Sequence, residues 1–510
     1  MSTKSGEVFR SFDIRGVWWD DDANYEINAD FFYRVALWVC DEYKRQEYSH
    51  PILLWWDTRV QNTQIILAFA QAFTEREVPY LLTGLPVESA PVQHHVFGVI
   101  STPLMYWYMQ HEFEMAIVVT ASHNPTGRVG MKTVNRQWDL YQSAEIKERY
   151  MPHMQTEYKA SLNLHKEILA MIQEHQQHQR LLSLRDAYTL LVVTMWEQWI
   201  SGELPVWKEK CTIVVDYGWW AACGFEYALF QAVEKQIDWL QIKHINYIAD
   251  WSFEAHSTDT SNYKNYEYLW KHIKEIDADF GVMFDGDADR MWTADHAWVM
   301  IPWDQQLAIV FDQYAQHGKD VSALVGDISC TNVVRDVVKS HWVSHHFSKV
   351  WYRFVKETIK KASAQMGGEL SGHILFKETG YTEAPSLVLW LLLQAWMSYW
   401  ELTTSLQIPI ESVNHEVLTE PPLQRHKLLL QNFEVTDKDE AIDWIVELFP
   451  NATQERLDGV RLESAQWDWR VLVRKSWTEP IIRLYVEARS QQQAQEIQDR
   501  CIASIKQREA

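Results

Sequence analysis

Glycine is scarce in this chain: 18 in 510 residues, about half of the roughly 7% usual in soluble proteins. Cysteine is limited to Cys40, Cys211, Cys223, Cys330 and Cys501, scattered and without CxxC spacing. That excludes a disulfide framework and a cysteine-held zinc, and points to reduced, buried thiols. Long apolar runs are missing. The longest, Leu387 to Leu393, is seven residues, against the roughly 20 that span a bilayer, so no membrane association is expected. Met1 to Glu7 contain no apolar stretch, so no signal peptide is expected and the cytoplasm is the default compartment. Basic residues are outnumbered, 47 against 69, for a net charge of −22. That argues against non-specific nucleic-acid binding. A chain this acidic can hold an anionic small molecule only by gathering its few cations locally.

Tryptophan is the residue in excess, at 27, and several stand where a turn glycine or small polar residue is expected. Hydrophobic residues at 47% and charged residues at 23% describe a globular protein. Its length is too great for one core and predicts three or four domains.

The first 150 residues alternate strand and helix patterns. Ile52–Trp56, Pro79–Leu82 and Ala116–Val119 read as strands and Gln64–Phe73 as a helix, which predicts a mixed or parallel α/β sheet. A polar stretch, 151–180, reads as a helical connection. A second α/β unit is expected from near Leu181, with strands Cys211–Val215 and Phe280–Phe284. A third is expected from about 301, with strand Ala323–Val325 and helix Thr331–Lys339. Beyond Gln424 the texture changes, and strands Trp469–Arg474 and Pro480–Ala488 indicate a smaller α+β domain. The expected boundaries are 1–155, 156–300, 301–408 and 409–510.

Five segments carry chemistry. In Ala116–Lys132 a buried strand breaks into a turn presenting Ser122 beside His123. Pro125, Gly127 and Gly130 bend the chain back towards Lys132. A hydroxyl flanked by an imidazole and a lysine suits a transferable phosphoryl group. A hydrolase elbow would read Gly-x-Ser-x-Gly, and Thr120 and Asn124 occupy its glycine places.

Asp285-Gly286-Asp287-Ala288-Asp289-Arg290 follows an apolar strand. Alternating carboxylates can converge on a hard cation such as Mg²⁺. An EF-hand fails because Arg290 and His296 stand where Gly and Glu belong. A phosphatase with a phosphorylated aspartate and a solvated acidic turn both stay open. Gly368–His373 sets Glu369, Ser371 and His373 on a glycine-permitted turn, suited to vicinal sugar hydroxyls or merely a capped turn. Arg474–Pro480 supplies Arg474, Ser476 and Thr478, suited to phosphate oxygens or an ordinary hairpin. Near the N-terminus, Arg15 offers another cation.

In order and separation these segments resemble the α-D-phosphohexomutases, in particular their bacterial phosphomannomutase/phosphoglucomutase branch, from about Phe9 to Ala488. The resemblance implies three similar α/β domains and a smaller C-terminal α+β domain around a central cleft. It implies a mutase interconverting hexose 1- and 6-phosphates, of mannose or glucose, through phosphorylated Ser122 and a hexose 1,6-bisphosphate. Ser122, Asp285, Asp287 and Asp289 would bind Mg²⁺. Glu369, Ser371, Lys349 and Tyr352 would face the sugar, and Arg474, Ser476 and Thr478 the phosphate not being transferred. Arg15, His123, Lys132, Arg290 and His373 would surround the transfer, with Lys132 or His373 moving the proton. Leu370, where the phosphoglucosamine branch has glutamine, favours a hexose. Sugar phosphates are the expected partners, and a monomer and a dimer are both compatible.

Departures from the pattern point to a strongly diverged or redesigned chain and to an impaired sugar-phosphate binder as the alternative. Trp351-Tyr352 stands where the family has Gly-His. Trp477 replaces an asparagine of the phosphate loop, and Trp219-Trp220 a small turn. Val129 replaces an asparagine, and Ala288 a glycine of the metal loop. Tryptophan takes positive φ only at a cost, so these turns are expected to be rebuilt or strained.

Overall fold

The computed structural model describes residues 8–9, 13–18, 27–59, 61–83, 101–124, 127–173, 178–199, 210–249, 256–258, 263–295, 301–317, 321–405, 427–466, 468–476 and 481–509. Trp477 and Thr478 of the expected phosphate loop, Pro125 and His296 lie outside these. The chain divides into two compact units, 1–300 with 385–387, and 301–384 with 388–510. Among the described residues each contains two sheets.

Three of the four sheets follow one plan. In the first, Ile52–Trp56 is flanked in parallel by Tyr80–Thr83 and Ala116–Val119. The chain then returns antiparallel along Arg128–Val134, with Ile14–Val17 added at the edge. In the second, Cys211–Asp216 is flanked in parallel by Leu240–Ile245 and Phe280–Phe284, and Met291–Asp295 returns antiparallel. In the third, Ala323–Asp327 is flanked by Ser344–Ser348 and Met366–Gly368, and Ile374–Phe376 returns, followed by Thr382–Glu383. Parallel strands covered on both faces are apolar throughout, and Ile52–Trp56, Ala116–Val119 and Phe280–Phe284 are buried at every position. The expected strands therefore sit where their apolar runs place them.

The plan repeats in detail. Each central strand ends in, or is followed at once by, an aspartate whose Oδ1 accepts from the backbone N–H two residues on. These are Asp57 from Arg59 at 3.1 Å, Asp216 from Gly218 at 2.8 Å, and Asp327 from Ser329 at 2.5 Å. Such Asx turns stop the strand and reverse the chain without an orphaned amide. The three motifs also share one topological place. Residues 120–127, 285–290 and 369–373 each join the last parallel strand to its antiparallel return. Ligands of open α/β sheets gather beyond such carboxyl ends.

The fourth sheet is antiparallel throughout, in the order Lys427–Glu434, Ile481–Ala488, Trp469–Lys475, Val460–Glu463, Thr453–Glu455. Helices Lys438–Glu447 and Gln491–Glu509 bury Ile442, Ile445, Ile497 and Ile505 in the core it shares with them. The polar 151–180 stretch becomes helix Leu162–Gln173 and the start of His178–Trp199. The latter runs past the expected start at Leu181, and the second sheet begins at Cys211. Among the described residues no helix is long and apolar enough to cross a membrane.

Candidate functional site

In the first unit the serine loop and the aspartate loop face each other. Ser122 and Asp285 are 163 positions apart in sequence, yet their Oγ and Oδ2 atoms lie 3.4 Å apart. Contact this close needs glycine opposite the serine. A Cβ on Gly286 would come within 2.5 Å of the Ser122 carbonyl oxygen. On the other side, a Cβ on Gly130 would meet the Ile14 carbonyl at 2.5 Å. These two glycines serve close approach rather than turning.

Arg290 joins the loops. Its Nη2 lies 3.0 Å from Ser122 Oγ, 2.7 Å from His123 Nδ1 and 2.6 Å from Asp285 Oδ2. A guanidinium only donates, so His123 presents Nδ1 as an acceptor. Lys132 Nζ lies 2.9 Å from Asp287 Oδ2 and 3.4 Å from Asp289 Oδ2. Arg15, ion-paired to Asp13 at 2.6 Å, lies opposite Gly130 in the strand register. Val129 is buried within the same strand, opposite Gly16.

One oxygen from each of Asp285, Asp287 and Asp289 can be chosen so that all lie within 4.8 Å of one another. Asp287 Oδ1 is buried with no hydrogen-bond partner. Burial alone would raise Asp287, but Lys132 outweighs it and holds the carboxyl below the usual range. Asp285 is pushed up to about 8, chiefly by burial and by its two acidic neighbours, against the pull of Arg290. Burial works against the charge of Lys132, and the two aspartates more than restore it, so the ammonium is held protonated. An all-oxygen donor set with one buried oxygen left over fits a small divalent cation.

The serine loop is clamped from behind by residues to which the sequence reading gave no role. Ser122 has φ +51, a left-handed conformation that costs a non-glycine residue on the order of 1–3 kcal/mol. Buried Arg59 holds it there, its Nη2 donating to the carbonyls of Ser122 and Asn124 at 2.8 Å each. Asp57 anchors Arg59 through Nε at 3.1 Å and accepts from Thr120 Oγ1 at 2.7 Å. Thr120 Oγ1 in turn accepts the Ser122 N–H at 2.8 Å. Thr258 Oγ1 lies 2.8 Å from the carbonyls of His123 and of Asn124. The strand-end Asp57-Thr58-Arg59 was visible in sequence, whereas nothing local marks Thr258.

The second unit assembles the expected sugar and phosphate residues. Glu369 accepts from Ser371 Oγ at 2.9 Å and from the Trp351 N–H at 2.5 Å. Burial raises Glu369 to about 7; His373 opposes this and Asp327 adds to it. His373 Nδ1 lies 3.0 Å from Glu383 Oε1, and the ring of buried Tyr352 is 6.0 Å from the His373 ring. Lys349 Nζ stands over the Phe354 ring. Arg474 donates to Asp458 at 3.3 Å, and the same carboxylate oxygen accepts the Val350 N–H at 3.2 Å. This ties the Arg474 strand to the segment carrying Lys349 and Tyr352. Arg474 Nε is a buried donor with no hydrogen-bond partner, which suits an anion. Ser476 is buried.

A serine, three aspartates and cations on loops of a thrice-repeated α/β plan, with an antiparallel C-terminal domain, define the phosphohexomutase class. Sequence models of the phosphoglucomutase/phosphomannomutase family match accordingly: alpha/beta/alpha domain I over residues 6–151, domain III over 302–408, and the C-terminal domain over 430–504. The chain belongs to the α-D-phosphohexomutase family. It is 26% identical to a phosphomannomutase of Methanocaldococcus jannaschii, across 94% of this chain and 93% of that one. It is 23% identical to a phosphoglucosamine mutase of Staphylococcus carnosus, across 96% of each. The X-ray structure of a phosphoglucomutase/phosphomannomutase family protein from Burkholderia thailandensis shares the fold, with a TM-score of 0.72, 22% identity, and coverage of 99% and 98%.

Proposed function

We propose that the chain is a Mg²⁺-dependent mutase interconverting hexose 1- and 6-phosphates, of mannose or glucose, with phosphorylated Ser122 as the carrier. The observation that carries this reading is Ser122 Oγ set 3.0 Å from Arg290 Nη2 and 3.4 Å from Asp285 Oδ2. Phosphoryl transfer is mainly a matter of positioning and of stabilising charge on the transferring oxygens. Arg290 supplies fixed positive charge at the serine and Lys132 at Asp287 and Asp289. Lys132, held protonated by two aspartates, suits charge stabilisation better than proton abstraction. Ser122, Asp285, Asp287 and Asp289 would hold Mg²⁺, which when bound would neutralise charge on the phosphoryl oxygens.

In the forward step the bond between phosphorus and Ser122 Oγ breaks and one to a free sugar hydroxyl forms. The hydroxyl proton goes to a base, for which His373, oriented by Glu383, is suited. Glu369 and Ser371 would hold the sugar hydroxyls, and Arg474, Ser476 and Thr478 the resting phosphate. The hexose 1,6-bisphosphate then turns over, Ser122 Oγ takes back its other phosphoryl, and the sugar oxygen so released takes the proton back from the base. Incubation with glucose 1,6-bisphosphate should add about 80 Da, the mass of one phosphoryl group, to the wild type and nothing to Ser122→Ala. Absence of that adduct in the wild type refutes the reading. Coupled assays with mannose, glucose and glucosamine 1-phosphates decide the substrate. An impaired sugar-phosphate binder is the second reading, favoured by the strained Trp351 beside Glu369.

A further inference from the structure

Tryptophan occupies turn positions that the backbone reserves for glycine. Among the described residues twelve non-glycine residues have positive φ, and four are tryptophan: Trp138, Trp219, Trp342 and Trp351. No other residue type appears more than twice. Asparagine and aspartate, which enter this region most readily, contribute one each.

Three of the four fall in glycine-selecting turn motifs, and the fourth has dihedrals that select glycine. Trp342, at φ +60, follows helix Asn332–Ser340 and its cap His341. Its N–H donates to the Lys339 carbonyl, and the Val343 N–H donates to that of Val338. That is a Schellman cap with Trp342 at the position usually taken by glycine. The side chain is 95% exposed, so packing offers no compensation. Trp138, at φ +64, ends a three-residue hairpin loop in which the Trp138 N–H donates to Asn135 O and the Asn135 N–H to Asp139 O. This is the left-handed glycine place of a bulged hairpin.

Gly218 and Trp219 have φ +63 and +64, and the Trp220 N–H closes the turn on Tyr217 O. Positive φ at both central residues selects glycine or asparagine. Trp351, at φ +121 and ψ +127, lies outside even the small left-handed well. That backbone aims its N–H at Glu369 Oε1, 2.5 Å away.

The composition is reciprocal: 27 tryptophans in excess and 18 glycines in deficit. We propose that residues 138, 219, 342 and 351 are glycine positions of the functional enzyme, with residue 351 a backbone-positioning site for Glu369. The codon UGA, read as tryptophan in some genetic codes and as glycine in others, accounts for the exchange.

The test compares full-length chains carrying glycine, or alanine, at all four positions. Alanine removes the indole but keeps the Cβ that opposes positive φ. The glycine chain should unfold several degrees higher, roughly 2 °C or more per position, and the alanine chain should gain much less. Equal midpoints, or a loss in both, overturn the proposal. The single variant W342G, at an exposed site with no packing to lose, guards against a general folding defect and should by itself raise the midpoint. UGA at the four positions in the gene is expected, and UGG there refutes the codon explanation. W351G should lower KM for hexose phosphate more than it changes kcat. That last readout requires the mutase reading; the thermal and codon readouts do not.

Discussion

Arg290 Nη2 stands 3.0 Å from Ser122 Oγ, although their loops join strands of two different sheets of their unit. The same nitrogen reaches Asp285 at 2.6 Å, and Nε reaches that carboxylate oxygen at 2.9 Å. One planar cation thus fixes the serine relative to the aspartate loop. Arg290→Lys keeps the charge but loses the fork. Loss of a donor aimed at transition-state charge costs about 10²–10³ in rate. Transfer from bisphosphate to Ser122, followed by intact mass against time, should slow to that extent. An unchanged rate assigns Arg290 a purely structural part.

Arg59→Met should act through the serine backbone. It removes hydrogen bonds to three carbonyls, those of Ser122, Asn124 and Arg128, and leaves Asp57 buried without its cation, a loss of about 3–5 kcal/mol. Denaturant titration should show the destabilisation. Ser122 should also phosphorylate slowly in the fraction that remains folded, because the clamp on its carbonyl is lost, leaving the bonds with Thr120 and Thr258 to restrain the loop.

In its proposed role Glu369 couples sugar binding to pH. Its carboxyl is held up to about 7 by burial, and only the ionised form accepts from two sugar hydroxyls. KM for hexose phosphate should therefore rise as pH falls through 7 and level off above it. Glu369→Gln should bind weakly with a flat profile across the same range. A wild-type KM that ignores pH between 6 and 8 contradicts this assignment.

Glu226 gives a prediction about stability rather than activity. It is buried in the first turn of helix Phe225–Gln236, and burial raises its carboxyl to about 8, against a hydrogen bond with Ser101. The folded state therefore binds the proton more tightly than the unfolded chain does. Its stabilising contribution is complete below about 4.5, the unfolded value, and is lost as pH rises through 8. Unfolding midpoints should fall over that window in the wild type. Glu226→Gln should flatten the fall and be the more stable protein at pH 8.

Much of this was legible before any fold was known. Apolar runs such as Ile52–Trp56 mark strands because fully buried strands need no polar alternation. The five motifs announce themselves because carboxylates, a serine and glycines cluster within a few residues. Arg59 could be seen but not interpreted, since its role is to reach carbonyls 63 and 65 positions away. Thr258 and Asp458 could not be found at all. Each acts through one hydrogen-bonding atom on a segment with no local motif.

The sequence by itself determined the elements, the order of the motifs and the chemistry each can offer, because these depend on neighbours along the chain. It also showed tryptophan in glycine's place as an imbalance of composition. Only the tertiary structure decided that Ser122 meets Asp285 and Arg290, that three aspartate-ended strands repeat one plan, and that four tryptophans sit at positive φ. Those facts depend on strand register and backbone dihedrals, which packing fixes across distances that no local pattern spans.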